Sequence, residues 1–194
     1  MRRILHLLIF LAAMPVCTSP VGARDFTSSV TVGSELVHLR PDFKVPDEPN
    51  QLFYIQRSPN SNTVVYTARL EANGEFDSKA PVEGFWRKFN IDGSRQSLTF
   101  VERLMAYGVR VDTVRPDKPI TFSVVALPDR KLTLAMDPQH HPEALLQIDG
   151  HTVKLAYVYL QVVEGGLLPK VPSLDIFGTD IASGKWVHEH LIQR

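Results

Sequence analysis

The stretch Leu145-Leu146-Gln147-Ile148-Asp149-Gly150-His151-Thr152-Val153-Lys154-Leu155-Ala156-Tyr157-Val158-Tyr159-Leu160-Gln161-Val162-Val163 decides the fold. Asp149-Gly150 is a favoured two-residue hairpin turn, because both residues tolerate the positive φ that a type I′ turn requires. Leu145 to Ile148 leads into the turn, and Val153 to Val163 returns from it as the longest apolar run after the N-terminus. Strict alternation places Val153, Leu155, Tyr157 and Tyr159 on one face and Ala156, Val158, Leu160 and Val162 on the other. A strand wet on one side alternates apolar with polar residues. This one is apolar on both sides. It therefore reads as a central strand whose outer face is covered by a helix or by the N-terminal segment.

Working outward, short apolar runs alternate with turn signals. Leu52 to Arg57 and Thr63 to Leu70 are rich in β-branched and aromatic residues, and Asn73-Gly74 closes the second. Val82 to Phe89 ends at Asp92-Gly93. Ile120, Phe122, Val124 and Ala126 share a face, as do Leu132, Leu134 and Met136 beyond the turn at Pro128-Asp129-Arg130. Leu174 to Thr179 and Lys185 to Leu191 flank Ser183-Gly184. Period-two runs at this spacing predict a mainly β fold, a single antiparallel β-barrel or β-sandwich. One segment departs from period two. Ser97 is placed to cap a helix over residues 98–107, with Leu98, Val101 and Met105 on its inner stripe and Gly108 as a left-handed stop.

Two segments precede the domain, which is expected to span residues 51–194. Residues 24–50 are polar and carry Pro41, Pro46 and Pro49, which favours an extended lead-in draped over the domain, with Ser34 to Arg40 as a possible edge strand. Residues 1–23 read as a signal peptide: Arg2-Arg3, an apolar run from Ile4 to Val16, then Val21 and Ala23 at the positions signal peptidase requires to be small. The run is too short for the ~20 residues that span a bilayer. Cleavage after Ala23 removes Cys17, the chain's one cysteine, so the mature protein is expected to be disulfide-free, without a membrane span, and periplasmic or secreted.

The composition excludes several classes. Lys plus Arg and Asp plus Glu number 21 each, so there is no basic excess for a nucleic-acid partner. Apolar residues make up 44%, enough for a packed core. No Gly-x-Ser-x-Gly elbow, His-Glu-x-x-His or phosphate-cradling glycine loop is present, and no cofactor is indicated.

Three polar groups stand out. Arg57 ends a strand and is followed by Asn60 and Asn62 in a Ser-Pro-Asn-Ser-Asn turn. An arginine beside amides can clamp a carboxylate or phosphate through forked hydrogen bonds, although turn chemistry alone accounts for most of the segment. Arg103 and Tyr107 lie one helical turn apart and can join Arg57 in a polar pocket, with Glu102 as a structural ion-pair candidate. His188 and His190 flank Glu189 on one strand face, and His140-His141 lies in a loop. Two strand histidines and a third ligand can hold zinc, but spacing fixes no third ligand, so they are read as a solvated edge strand and not as a metal site.

Several of these segments together resemble one family. Leu52-Phe53-Tyr54-Ile55-Gln56-Arg57-Ser58 with Asn60 and Asn62, Pro81-Val82 to Trp86, Leu98-Thr99, Arg103 to Gly108 with Ala106-Tyr107-Gly108, Gly150, and Gly178-Thr179-Asp180 to Gly184 are similar to domain of unknown function 4833 of exported bacterial proteins, over about residues 50–190. The resemblance implies one exported domain and no catalytic residue. The expected function is a non-catalytic binding module for a small ligand or an envelope partner protein. The competing expectation is a cell-envelope hydrolase working through the Arg57, Glu102, Arg103 and Tyr107 cluster.

Overall fold

A computed structural model describes residues 26–33, 35–113, 118–127, 129–163 and 170–193. The expected leader, residues 1–23, and the Gly165-Gly166 break lie outside them. Twelve strands form one curled, mixed sheet: β1 (Phe26–Gly33), β2 (Gln51–Arg57), β3 (Thr63–Ala68), β4 (Val82–Arg87), β5 (Arg95–Ser97), β6 (Val109–Thr113), β7 (Ile120–Val124), β8 (Leu132–Met136), β9 (Pro142–Ile148), β10 (His151–Val163), β11 (Lys170–Asp180) and β12 (Trp186–Gln193). A helical turn, α1 (Phe100–Glu102), continues as a π-helical turn over Arg103–Tyr107. Among the described residues, no helix is long and apolar enough to cross a membrane.

The hairpin at Asp149-Gly150 forms as expected, with φ of 46° and 79°, and it delivers β10 to the centre of the sheet. One edge of β10 pairs along its length with β11, then β12 and β1. The other edge is divided. Residues 151–154 pair antiparallel with β9, and residues 157–160 pair parallel with β2. Two arms therefore leave the same edge, β9-β8-β7-β6 and β2-β3-β4-β5. The expected closed antiparallel barrel or two-sheet sandwich is not what forms. β5 and β6 end the path without pairing to each other, which leaves a half-barrel, and β2 against β10 is a parallel pair.

The partner exchange coincides with a β-bulge. Leu155 faces Gly178 and Tyr157 faces Phe177, so Ala156 is an extra residue on β10. A bulge puts two residues opposite one and flips the alternation beyond it. Val153 and Leu155 thus share the inner core with Val158, Leu160 and Val162, while Tyr157 and Tyr159 face outward. This corrects the two faces read by strict alternation. Gly178 lies so close to β10 that a Cβ there would meet the Lys154 carbonyl oxygen and Val153 Cγ1, each at 2.4 Å.

The inner face packs Phe53, Ile55, Val64, Tyr66, Phe122, Leu132, Ile148, Leu155 and Ile176 into one apolar core. Ile120, Phe122 and Val124, and Leu132 and Leu134, take the inward positions their alternation predicts. The outer face carries a smaller cluster of Tyr54, Val65, Phe85, Tyr157, Tyr159 and Phe177. The lead-in covers this second face, as expected. Phe43 and Pro46 are buried, His38 stacks on Tyr157, and Glu48 pairs with Arg87 through two hydrogen bonds. The edge strand of the N-terminal region is β1 rather than Ser34 to Arg40, because Phe26–Gly33 finds the free edge of β12.

Tyr157 ties the two layers together. Its hydroxyl donates to the Val37 carbonyl at 2.5 Å and accepts from the Leu39 amide at 3.4 Å. Burial drives its pKa above the usual tyrosine range. We expect Tyr157→Phe to lower stability by about 1 kcal/mol, the ordinary net worth of such bonds, and to speed tryptic cleavage after Lys44, the exposed basic residue of the lead-in that no proline follows. Unchanged melting and proteolysis would show that Phe43 and Pro46 hold the lead-in by themselves.

Candidate binding cleft

Arg57 is the last residue of β2 and lies beside Leu160 in the parallel pairing with β10. The sheet thereby fixes it at one end of the concave face. Opposite it stands the helical turn. Thr99-x-x-Glu102 forms a capping box: Thr99 Oγ1 accepts from the Glu102 amide, and Glu102 Oε2 accepts from the Thr99 amide at 2.7 Å and its hydroxyl at 2.9 Å. The cap is thus Thr99, not Ser97, because Ser97 is held in β5.

The turn then widens into a π-helical turn over Arg103–Tyr107, a distortion frequent at functional sites. Gly108 leaves it in extended conformation, with φ −66°, not in the left-handed conformation expected of a stop. Its requirement is space instead: a Cβ on Gly108 would sit 1.9 Å from the Arg103 carbonyl oxygen. The expected inner stripe is also displaced. Leu98 and Tyr107 are buried, but Phe100, Val101, Leu104 and Met105 are 73%, 65%, 52% and 53% exposed. The turn forms the wall of a cleft instead of packing flat on a sheet.

That cleft has a volume of about 270 Å³. Val101, Glu102, Met105, Ala106 and Tyr107 line one side, and Leu160, Val162, Val171, Leu174 and Phe26 line the other, with Arg57 between them. Arg57 donates to the Tyr107 hydroxyl at 3.5 Å and lies 5.9 Å from the centre of the Trp86 ring. Its Nε is buried with no hydrogen-bond partner. Trp86 packs edge-on against Tyr107 and donates through Nε1 to Glu102 Oε1 at 3.0 Å. The Tyr107 carbonyl accepts from the Tyr66 hydroxyl at 2.9 Å, which anchors this wall to the core.

Of the residues singled out in the sequence, Arg57, Glu102 and Tyr107 converge on the cleft. Both oxygens of Glu102 are engaged by Thr99 and Trp86, so it serves as a cap and not as the ion-pair partner of Arg57. Arg103 turns away into a separate groove with Phe100, Leu104, Gly108, Val109 and Arg110. Asn60 and Asn62 do turn chemistry: Asn60 Oδ1 accepts from the Asn62 amide at 3.1 Å, and Asn62 Oδ1 accepts from the Asn90 amide at 3.2 Å. Trp86 was not anticipated, although Trp86 and Lys88 are an aromatic and a cation on one strand end. Lys88 Nζ lies 4.5 Å from the Trp86 ring centre.

His188 and His190 lie on the opposite face of the sheet. They are not on an edge strand, because β1 covers β12. Both reach Asp175 of β11, at 2.8 and 2.6 Å. His140 and His141 belong to a separate turn, where the His141 amide donates to Asp137.

A family model described as a domain of unknown function, DUF4833, matches residues 53–190. The chain belongs to this DUF4833 family. No curated protein and no solved structure matches it. Within the DUF4833 domain, the segments that carry the resemblance fall on the features described above. Arg57 sits in the cleft, Ala106-Tyr107-Gly108 builds its wall, and Gly178 opposes the bulge.

Two expectations follow for the DUF4833 cleft. Desolvation pushes the Glu102 carboxyl up, but hydrogen bonds from the Thr99 amide and hydroxyl and from Trp86, with the Lys88 charge, hold it below its ordinary 4.5. The unfolded chain therefore binds this proton more readily than the native one. The cap's contribution is full above about pH 4.5 and is lost as pH falls through the lower native value. Fluorescence of Trp86, read in a Trp186→Phe background, should change as pH is lowered to about 3, and Glu102→Gln should flatten that change. The second expectation concerns independence. Arg103→Ala should alter stability by under ~0.5 kcal/mol, and its effect should add to that of Arg57→Ala within ~0.5 kcal/mol. A larger coupling in thermal melts would place both arginines in one network.

Proposed function

We propose that this protein is an exported, non-catalytic binding module whose cleft takes a small ligand with an apolar body and an anionic head. One observation carries the reading: Arg57, whose Nε is buried without a hydrogen-bond partner, lines a largely apolar cleft with Val101, Met105, Leu160, Val162 and Leu174, while the one carboxylate in that lining, Glu102, is already engaged by Thr99 and Trp86. A guanidinium N–H without an acceptor is costly to keep buried, and a carboxylate or phosphate is the acceptor its fork fits best. The volume of about 270 Å³ lies at the lower edge of the ~300–1,000 Å³ of small-molecule sites, which favours a short acyl chain or a similar small amphiphile. The leader pattern of residues 1–23 supports the exported part of this reading, with the module in the periplasm or outside the cell.

An envelope hydrolase at the same place has less support. The described residues lining the cleft include no Ser, Cys or His to serve as nucleophile or base. Glu102 is held ionised at neutral pH, so it is a poor proton donor there.

Hexanoate and its methyl ester, titrated in parallel by calorimetry, test the reading. The acid should bind, and Arg57→Met should weaken it by about tenfold or more, the worth of a charge-assisted hydrogen bond of ~1.5–3 kcal/mol. The ester should be insensitive to the substitution. Equal binding of the acid to wild type and Arg57→Met, or tighter binding of the ester than of the acid, would overturn the proposal.

A further inference from the structure

We propose that Asp175, His188 and His190 form a binding site for a divalent transition-metal ion of the Zn²⁺ class, on the face of the sheet opposite the cleft. The β11–β12 register sets His190 directly across from Asp175, and His188 across from Phe177. Alternation along β12 gives both imidazoles the same face, while Glu189 between them turns inward and is buried. Asp175 is itself buried, and one oxygen of it, Oδ1, lies 2.8 Å from His188 Nε2 and 2.6 Å from His190 Nδ1. One donor atom from each of the three residues falls within a 4.8 Å cluster.

The geometry can open to take an ion. The two imidazole planes are inclined by 57° with centroids 6.4 Å apart, so their donor atoms reach the carboxylate from different directions. His188 is oriented by a stack on Phe177, 4.3 Å between centroids and 3° between planes, and Phe177 stacks in turn on Tyr157. Both imidazole side chains are 35% exposed, which gives an ion an entry path and water a coordination position. At metal–donor distances of ~2.0–2.2 Å the donors of a tetrahedral site stand about 3.4 Å apart. From 2.8 and 2.6 Å, the ring nitrogens therefore need to move off Oδ1 by roughly 0.6 and 0.8 Å, a side-chain adjustment.

The donor set selects the class of ion. Two imidazoles and a carboxylate suit Zn²⁺, Fe²⁺ or Co²⁺. Mg²⁺ and Ca²⁺ prefer all-oxygen shells of six or more ligands, which this pocket does not offer. Three protein ligands with solvent at the remaining position is an open coordination shell.

Titration of the full-length or processed protein with ZnCl₂ by calorimetry should show one equivalent bound, with Mg²⁺ and Ca²⁺ failing to compete. Co²⁺ substitution should give a visible d–d absorption that Zn²⁺ abolishes. His190→Ala and His188→Gln should each weaken Zn²⁺ binding by at least ~10-fold and remove the Co²⁺ band, on the scale of losing a ligand. His140→Ala/His141→Ala should leave both intact. Asp175 is buried, and if Asp175→Asn fails to fold, the two half-exposed histidines still carry the test. No stoichiometric binding, equal affinity in His190→Ala, or loss of binding in the loop double variant would overturn the site and leave Asp175 as a hydrogen-bond acceptor for two imidazoles.

Discussion

The inserted residue Ala156 is the constraint on which the rest of the molecule depends. Without it, alternation from Leu155 would carry Val158, Leu160 and Val162 to the outer face. At ~1.5–3 kcal/mol for each fully buried aliphatic side chain, losing all three costs roughly as much as the whole net stability of an ordinary domain, ~5–15 kcal/mol. The same bulge marks where β9 gives way to β2 along one edge of β10. It therefore sets the divergence of the two arms, and with it the open end where Arg57, Leu160 and the helical turn enclose the cleft. Gly178 is the complement of this arrangement, since any Cβ there would collide with Lys154 and Val153.

Much of this was legible in the sequence. Asp149-Gly150 announced its hairpin, the double-faced apolar run announced a central strand, and the proline-bearing lead-in announced a covering layer. Those features are local: turn conformations and period-two patterns act within a few residues. The bulge was not legible, because a continuous apolar run carries no mark of the residue at which its alternation slips. The parallel β2–β10 pair was not legible either. It joins residues about a hundred positions apart, and period-two patterns say nothing of strand direction.

The candidate site was legible in its parts. Arg57 and Tyr107 were identifiable as polar groups that local structure does not require. Their grouping with Arg103 failed because Arg103 lines the outer groove with Phe100, Leu104 and Arg110, whereas Tyr107, at the end of the π-helical turn, is buried against Trp86, a partner from a distant strand. The histidines were legible as a pair, but their carboxylate partner, Asp175, comes from the neighbouring strand and depends on a register that the Ser183-Gly184 turn sets only together with the β10–β11 pairing.

The pairing of β1 with β12 has a consequence for the order of assembly. The first and last described strands lie side by side, residue 26 against residue 193. β10 likewise waits for β11, which follows it in the chain, before its second edge is satisfied. A chain emerging from its N-terminus thus carries β1 unpaired until β12 has followed it. Contacts this distant in sequence form slowly, because loop closure must precede them. Such a topology makes this edge of the sheet the last to close, so β12 stays an open edge until β1 reaches it.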